Sequence, residues 1–75
     1  MSKNYELVKR IAVIGGKQGG VTKEVNLVKW GVFDPMIDIR RWQKGEPSKG
    51  ISLKYEEAEK LLAVLGAELK NNGNG

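Results

Sequence analysis

From Val21 onward the chain alternates in steps of two. Val21, Lys23, Val25, Leu27 and Lys29 share one face of an extended segment, and Thr22, Glu24, Asn26, Val28 and Trp30 share the other. That period predicts a strand over Val21–Trp30. Neither face is wholly apolar, which leaves the core-facing side open and a bulge or bend midway as one way to switch it. Met36–Gln43 alternates more cleanly, with Ile37 and Ile39 opposed to Met36, Asp38, Arg40 and Trp42, and predicts another strand. "GVFDP" between the two is a turn, punctuated by Gly31, Asp34 and Pro35.

Upstream, "YELVKRIAVI" (Tyr5 to Ile14) is ambiguous: Leu7, Val8, Ile11 and Ile14 also fit a helical spacing. Its β-branched content and the stop at Gly15-Gly16 favour a strand, with "GGKQGG" (Gly15 to Gly20) as a flexible hairpin loop. Downstream, "KGEPSKG" (Lys44 to Gly50) reads as a polar loop, and "KGISL" as the start of a short fourth strand with Ile51 and Leu53 in phase. From Lys54 to about Asn71 the period changes. Ala58, Leu61, Leu62, Leu65 and Leu69 form a helical stripe, Ser52 is a candidate N-cap, and Glu56, Glu57 and Glu59 suit the helix's positive end. Gly66 inside that helix costs roughly 1 kcal/mol relative to Ala and suggests a kink or a close backbone approach. "NNGNG" is a frayed tail. The predicted order is β-β-β-β-α: an α+β fold, a four-stranded antiparallel meander followed by one C-terminal helix.

Seventy-five residues make one domain, residues 1–75 with a core of about 5–70. So short a chain buries little core alone, and the helix has more apolar stripe than one small sheet needs. A homodimer sealed by Leu61, Leu62, Leu65 and Leu69 is therefore expected. There is no cysteine and no histidine, so disulfides and thiolate chemistry are excluded and a metal site is not expected. No apolar leader and no membrane-length apolar run is present, which predicts a soluble cytoplasmic protein, nucleoid-associated at most.

Net charge is +4, unevenly placed. Residues 1–53 hold ten Lys/Arg against five Asp/Glu, whereas residues 54–75 hold three against four. The excess points to a polyanionic partner for the sheet, or simply to a soluble basic domain. Neighbouring same-face residues of a strand stand about 6.6–6.8 Å apart, near the step of a stretched single strand. Arg40 and Trp42 could thus serve one phosphate and one base. Trp30 would extend that platform, Lys23, Lys29, Lys44 and Lys49 would line its edges, and Asn26 would add a hydrogen bond. For either tryptophan taken alone, core packing or edge shielding is the simpler reading, and for each lysine a solvated charge is.

Enzyme readings do not hold. Ser2, Ser48 and Ser52 lie in no recognisable catalytic setting. Asp34 and Asp38 could form a carboxylate pair, but Asp38 is more simply an ion-pair partner of Arg40. The glycine loop is not a phosphate cradle, because Gly20 is followed by Val21 and Thr22 and leads into a strand. No catalytic residue, cofactor or small-molecule substrate is expected.

"IDIRRW" (Ile37 to Trp42), "SKGISL" (Ser48 to Leu53) and the Glu-rich amphipathic helix after them resemble the PC4-like (transcriptional coactivator p15) family. "VKWG…DP…IDIRRW" (Val28 to Trp42) is more like its bacterial YdbC-type branch. The resemblance covers about residues 5–70. It implies a curved four-stranded sheet and a kinked helix, a homodimer through the helices, and sequence-tolerant binding of single-stranded DNA in transcription, replication or repair. Arg40 matches the Arg after Ile-Asp-Ile, and Lys49 the basic residue before Gly-Ile-Ser-Leu. Lys29 and Trp30 match a basic residue and an aromatic at the end of the second strand, and Trp42 stands where the eukaryotic branch has Tyr. Gln43 and Glu24 depart from the family's aromatic and basic pattern, and the long Ser-rich N-terminal region is missing, so a coactivator role is not carried over. The alternatives are a single-stranded RNA-binding module of the same fold and a protein-interaction module for an acidic partner.

Overall fold

The computed structural model describes residues 4–17 and 19–73. Four strands, β1 (Tyr5–Lys17), β2 (Val21–Trp30), β3 (Met36–Gln43) and β4 (Glu46–Leu53), precede helix α1 (Tyr55–Gly73). They form one antiparallel sheet in the order β1-β2-β3-β4, each strand beside its sequence neighbour. The α+β meander with a C-terminal helix therefore matches the sequence pattern. Among the described residues, no helix is long and apolar enough to cross a membrane. The "NNGNG" tail lies partly outside the description, which ends at Gly73, inside α1.

β1 departs most from expectation. It runs through Gly15 and Gly16, which pair with Lys23 and Thr22, so these two glycines lie within the ladder, and of the described residues Gly19 and Gly20 form the turn. Its register slips three times against β2, leaving Val8, Ile11 and Ile14 without partners. Those bulged residues recur every third position. The helix-like spacing of Val8, Ile11 and Ile14 is thus the signature of a regularly bulged strand. β2, where a bulge or bend was one way to switch the core-facing side, pairs with β3 from Val21 to Val28 without a slip.

The expected loop from Lys44 to Gly50 is mostly strand. Lys44 (φ 52°) and Gly45 (φ 81°) are the two central residues of a tight hairpin turn in which both dihedrals are positive, and β4 begins at once at Glu46. One extra residue on β4, between Pro47 and Gly50, offsets it against β3. Beyond that bulge, Gly50 sits directly opposite Arg40, so close that a Cβ there would overlap the Cα and Cβ of Arg40 and the carbonyl of Ile39. Only glycine lets β3 and β4 approach at this point.

α1 starts after Lys54, whose N–H donates to Glu57 Oε1 at 2.8 Å, the return half of a capping box. Ser52 is not the cap: its hydroxyl is committed to the sheet. The helix touches only β3 and β4. It encloses with them a hollow lined by Ile37, Ile39, Leu53, Ala58, Leu61, Leu62, Leu65, Gly66 and Leu69, without a polar residue among them. Leu61 is half-buried, but Leu62 is 73% and Leu69 65% exposed. Gly66 approaches no backbone; a Cβ there would meet open space.

The most enclosed part of the chain is the opposite face. Val28, Asn26 and Asp38 are fully buried there, Trp42 is 3% exposed, and Glu24 is also buried. The face expected to be open in fact carries the core.

Candidate functional site

The enclosed face is built on β2 and β3, whose paired residues bring like positions together: Glu24 faces Arg40, and Asn26 faces Asp38. Two polar groups form on it. In the first, Asp38 accepts a forked pair of hydrogen bonds from Arg40, Nε to Oδ2 at 2.6 Å and Nη2 to Oδ1 at 2.8 Å, and a third from the Ser52 hydroxyl at 2.7 Å. Arg40 Nη1 donates to the Ser48 carbonyl, in the β4 bulge, at 3.0 Å. The Arg40–Asp38 ion pair expected from the sequence is therefore present and buried.

In the second group, the buried Asn26 is occupied at both ends. Its Oδ1 accepts from the N–H of Ile11, a bulged residue of β1, at 3.3 Å, and its Nδ2 donates to Glu24 Oε1 at 3.2 Å. Asn26 is thus engaged in satisfying an irregular strand. Glu24 also accepts from the Thr22 hydroxyl at 2.6 Å and lies 3.4 Å from the Arg10 guanidinium.

Burial is the largest influence on the Glu24 carboxyl and raises its pKa. The hydrogen bonds from Thr22 and Asn26, with the Arg10 charge, together outweigh it, so the pKa lies below the ordinary 4.5. The folded chain therefore binds the Glu24 proton less readily than the unfolded chain does. The stabilisation is complete above the unfolded value and is lost as pH falls through the folded one. Urea midpoints measured from neutral pH to pH ~3 should show wild type above Glu24→Gln at neutrality, with the gap closing on acidification. A gap constant with pH would contradict this assignment.

Beyond these groups the face is aromatic. The Tyr5 ring centroid lies 5.3 Å from that of Trp30 at a 46° tilt, and 5.8 Å from that of Trp42, edge-on. The Arg40 guanidinium stands 4.7 Å from the Trp30 ring centre. Both indole Nε1–H groups are buried with no acceptor among the described residues.

The structure thus brings Asn26, Trp30, Arg40 and Trp42 to one face, with Trp42 enclosed beneath Tyr5. Lys23 and Lys29 belong to the other face, as their strand phase requires. Lys23 is exposed opposite Arg41, and Lys29 Nζ donates to the Gly31 carbonyl at 2.9 Å. Lys44 is exposed on the β3–β4 turn and Lys49 on the β4 bulge. Sequence reading missed Tyr5 and Arg10. Tyr5 joins the aromatic group only because it is paired with Trp30, and that register depends on three bulges whose spacing in the sequence reads equally well as a helix. No protein-family model matches this chain, and no curated protein is significantly similar to it.

Proposed function

We propose that this protein is a sequence-tolerant binder of single-stranded DNA, of the PC4-like kind that its sequence resembles, acting as a homodimer in transcription, replication or repair. The observation that carries the reading is the aromatic–cation cluster: Trp30 and Trp42 each in ring contact with Tyr5, with the Arg40 guanidinium over Trp30. Aromatic faces stack on any base and cations neutralise the phosphates between them, which gives affinity without sequence readout. Lys44 and Lys49, both exposed at the β3–β4 edge, extend the positive field beside the cluster. Tyr5 reaches both Trp30 and Trp42 although Trp42 pairs at the far end of β2, opposite Thr22. The helix, carrying Glu56, Glu57, Glu59 and Glu68, serves the second copy and not the DNA.

Tryptophan fluorescence tests the reading. Titration with oligo-dT is expected to quench emission strongly. The binding constant should fall with salt at a log–log slope of about −0.7 per phosphate neutralised, and a duplex of equal length should quench far less. Absence of both quenching and salt-dependent binding at low ionic strength rejects single-strand binding.

A further inference from the structure

The Tyr5 ring lies between two indoles, one of which carries the Arg40 guanidinium over its ring, and it is supplied by the first residue of an edge strand. Trp42 is 3% exposed with Tyr5 in place, so no base stacks on it while that ring stays. We propose that the Tyr5 position is a nucleobase site, and that Tyr5 is its occupant in the free protein: on binding, the start of β1 lifts and a pyrimidine-sized base takes the ring's place. This rests on the single-strand reading above and adds to it an exchange of a protein ring for a base.

Three features of the chain carry the exchange. Tyr5 makes tilted and edge-on contacts with the indoles, in the range where aromatic pairs attract. A six-membered pyrimidine meets the same walls. Second, both indole N–H donors lack an acceptor. A buried donor left unpaired is costly, and the exocyclic carbonyls of thymine are acceptors of the missing kind. Third, the ring sits on a separable segment. Tyr5 is the first residue of an edge strand, where local opening is cheapest. The ladder that holds it slips immediately afterwards, between Leu7 and Lys9. Only Tyr5, Glu6 and Leu7 pair before that slip, together with the 2.7 Å bond from the Gly31 N–H to the Asn4 carbonyl. Opening these residues leaves the rest of β1 in register.

Two variants test this by fluorescence anisotropy with labelled oligo-dT. Tyr5→Leu removes the competing ring, so affinity should tighten about tenfold, the equivalent of one to two aromatic contacts no longer displaced. Unchanged or weakened binding by a folded Tyr5→Leu overturns the proposal. Glu6 and Lys29 are register partners, so Glu6→Cys combined with Lys29→Cys pins the segment with a cross-strand disulfide. Its oxidised form should bind at least tenfold more weakly than its reduced form, with full recovery on adding reductant. Equal affinity in the two redox states would show that β1 need not lift, and overturns the exchange while leaving single-strand binding intact. No binding by wild type at low salt overturns both.

Discussion

Asp38→Ala is expected to lose roughly 3–5 kcal/mol of folding stability, the usual consequence of leaving one member of a buried ion pair uncompensated. Asp38 is fully buried and the Arg40 side chain is 15% exposed, so water replaces little of what is removed. Two hydrogen bonds from Arg40 and one from Ser52 end on that carboxylate, and all three donors would be orphaned together. A domain of this size has about 5–15 kcal/mol to lose, so the variant sits near the edge of folding. The double variant Asp38→Leu with Arg40→Met should be the more stable of the two, because it removes both charges and keeps the volume. Urea unfolding of wild type, the single and the double variant decides. A loss below about 1 kcal/mol for Asp38→Ala would mean that the pair is not structural. Arg40 also stands over Trp30, so the pair that supports the core fixes the cation of the candidate site.

Leu65→Glu is expected to abolish the proposed homodimer. Leu62, Leu65 and Leu69 are 47–73% exposed along one side of α1, and they border a hollow that contains no polar residue. Fully burying a leucine contributes about 1.5–3 kcal/mol, and in a two-fold dimer each substitution counts twice. The dissociation constant should therefore rise by roughly 10²–10⁴. Sedimentation equilibrium of wild type and variant reads this directly. A wild-type chain that is monomeric throughout the micromolar range would reject the dimer.

Strands β2 and β3 were legible in the sequence because a two-residue period depends only on the chain's own geometry. Their face assignments hold: Ile37 and Ile39 turn to the helix, and Asp38 and Trp42 turn away from it. The leucine stripe of α1 was legible for the same reason at 3.6 residues per turn. The candidate site was legible in part. Arg40 and Trp42 share a face as their spacing requires; the face of Trp30, which the sequence left open, is the same one, whereas Asn26 is spent on the Ile11 amide and Glu24, and Lys23 and Lys29, grouped with them on charge, lie on the other side.

Two expectations failed at glycine. Gly15-Gly16 looked like a stop and lies within a ladder, and Gly50 looked like the end of a loop and is where two strands crowd together. A glycine's role depends on what approaches it, and that neighbour is remote in sequence. Ser52, placed as a helix cap, bonds instead to Asp38, fourteen positions away.

By itself, then, the sequence determined the order of elements, the phase of β2, β3 and α1, and the basic bias of the sheet, all consequences of local stereochemistry and composition. Tertiary structure decided which face of the sheet is closed. Asp38, Asn26 and Glu24 look like solvent residues when each is taken singly, yet they are buried because Arg40 and Thr22 satisfy them along their own strands, and Ser52 and the Ile11 amide do so from the neighbouring ones. A polar side chain can enter a core once its partners are in place, and the partners are set by register. The bulge at Ile11 presents the amide that Asn26 accepts, and the extra residue on β4 brings the Ser48 carbonyl to Arg40, so the aromatic–cation face closes through contacts that pairing, and not composition, decides.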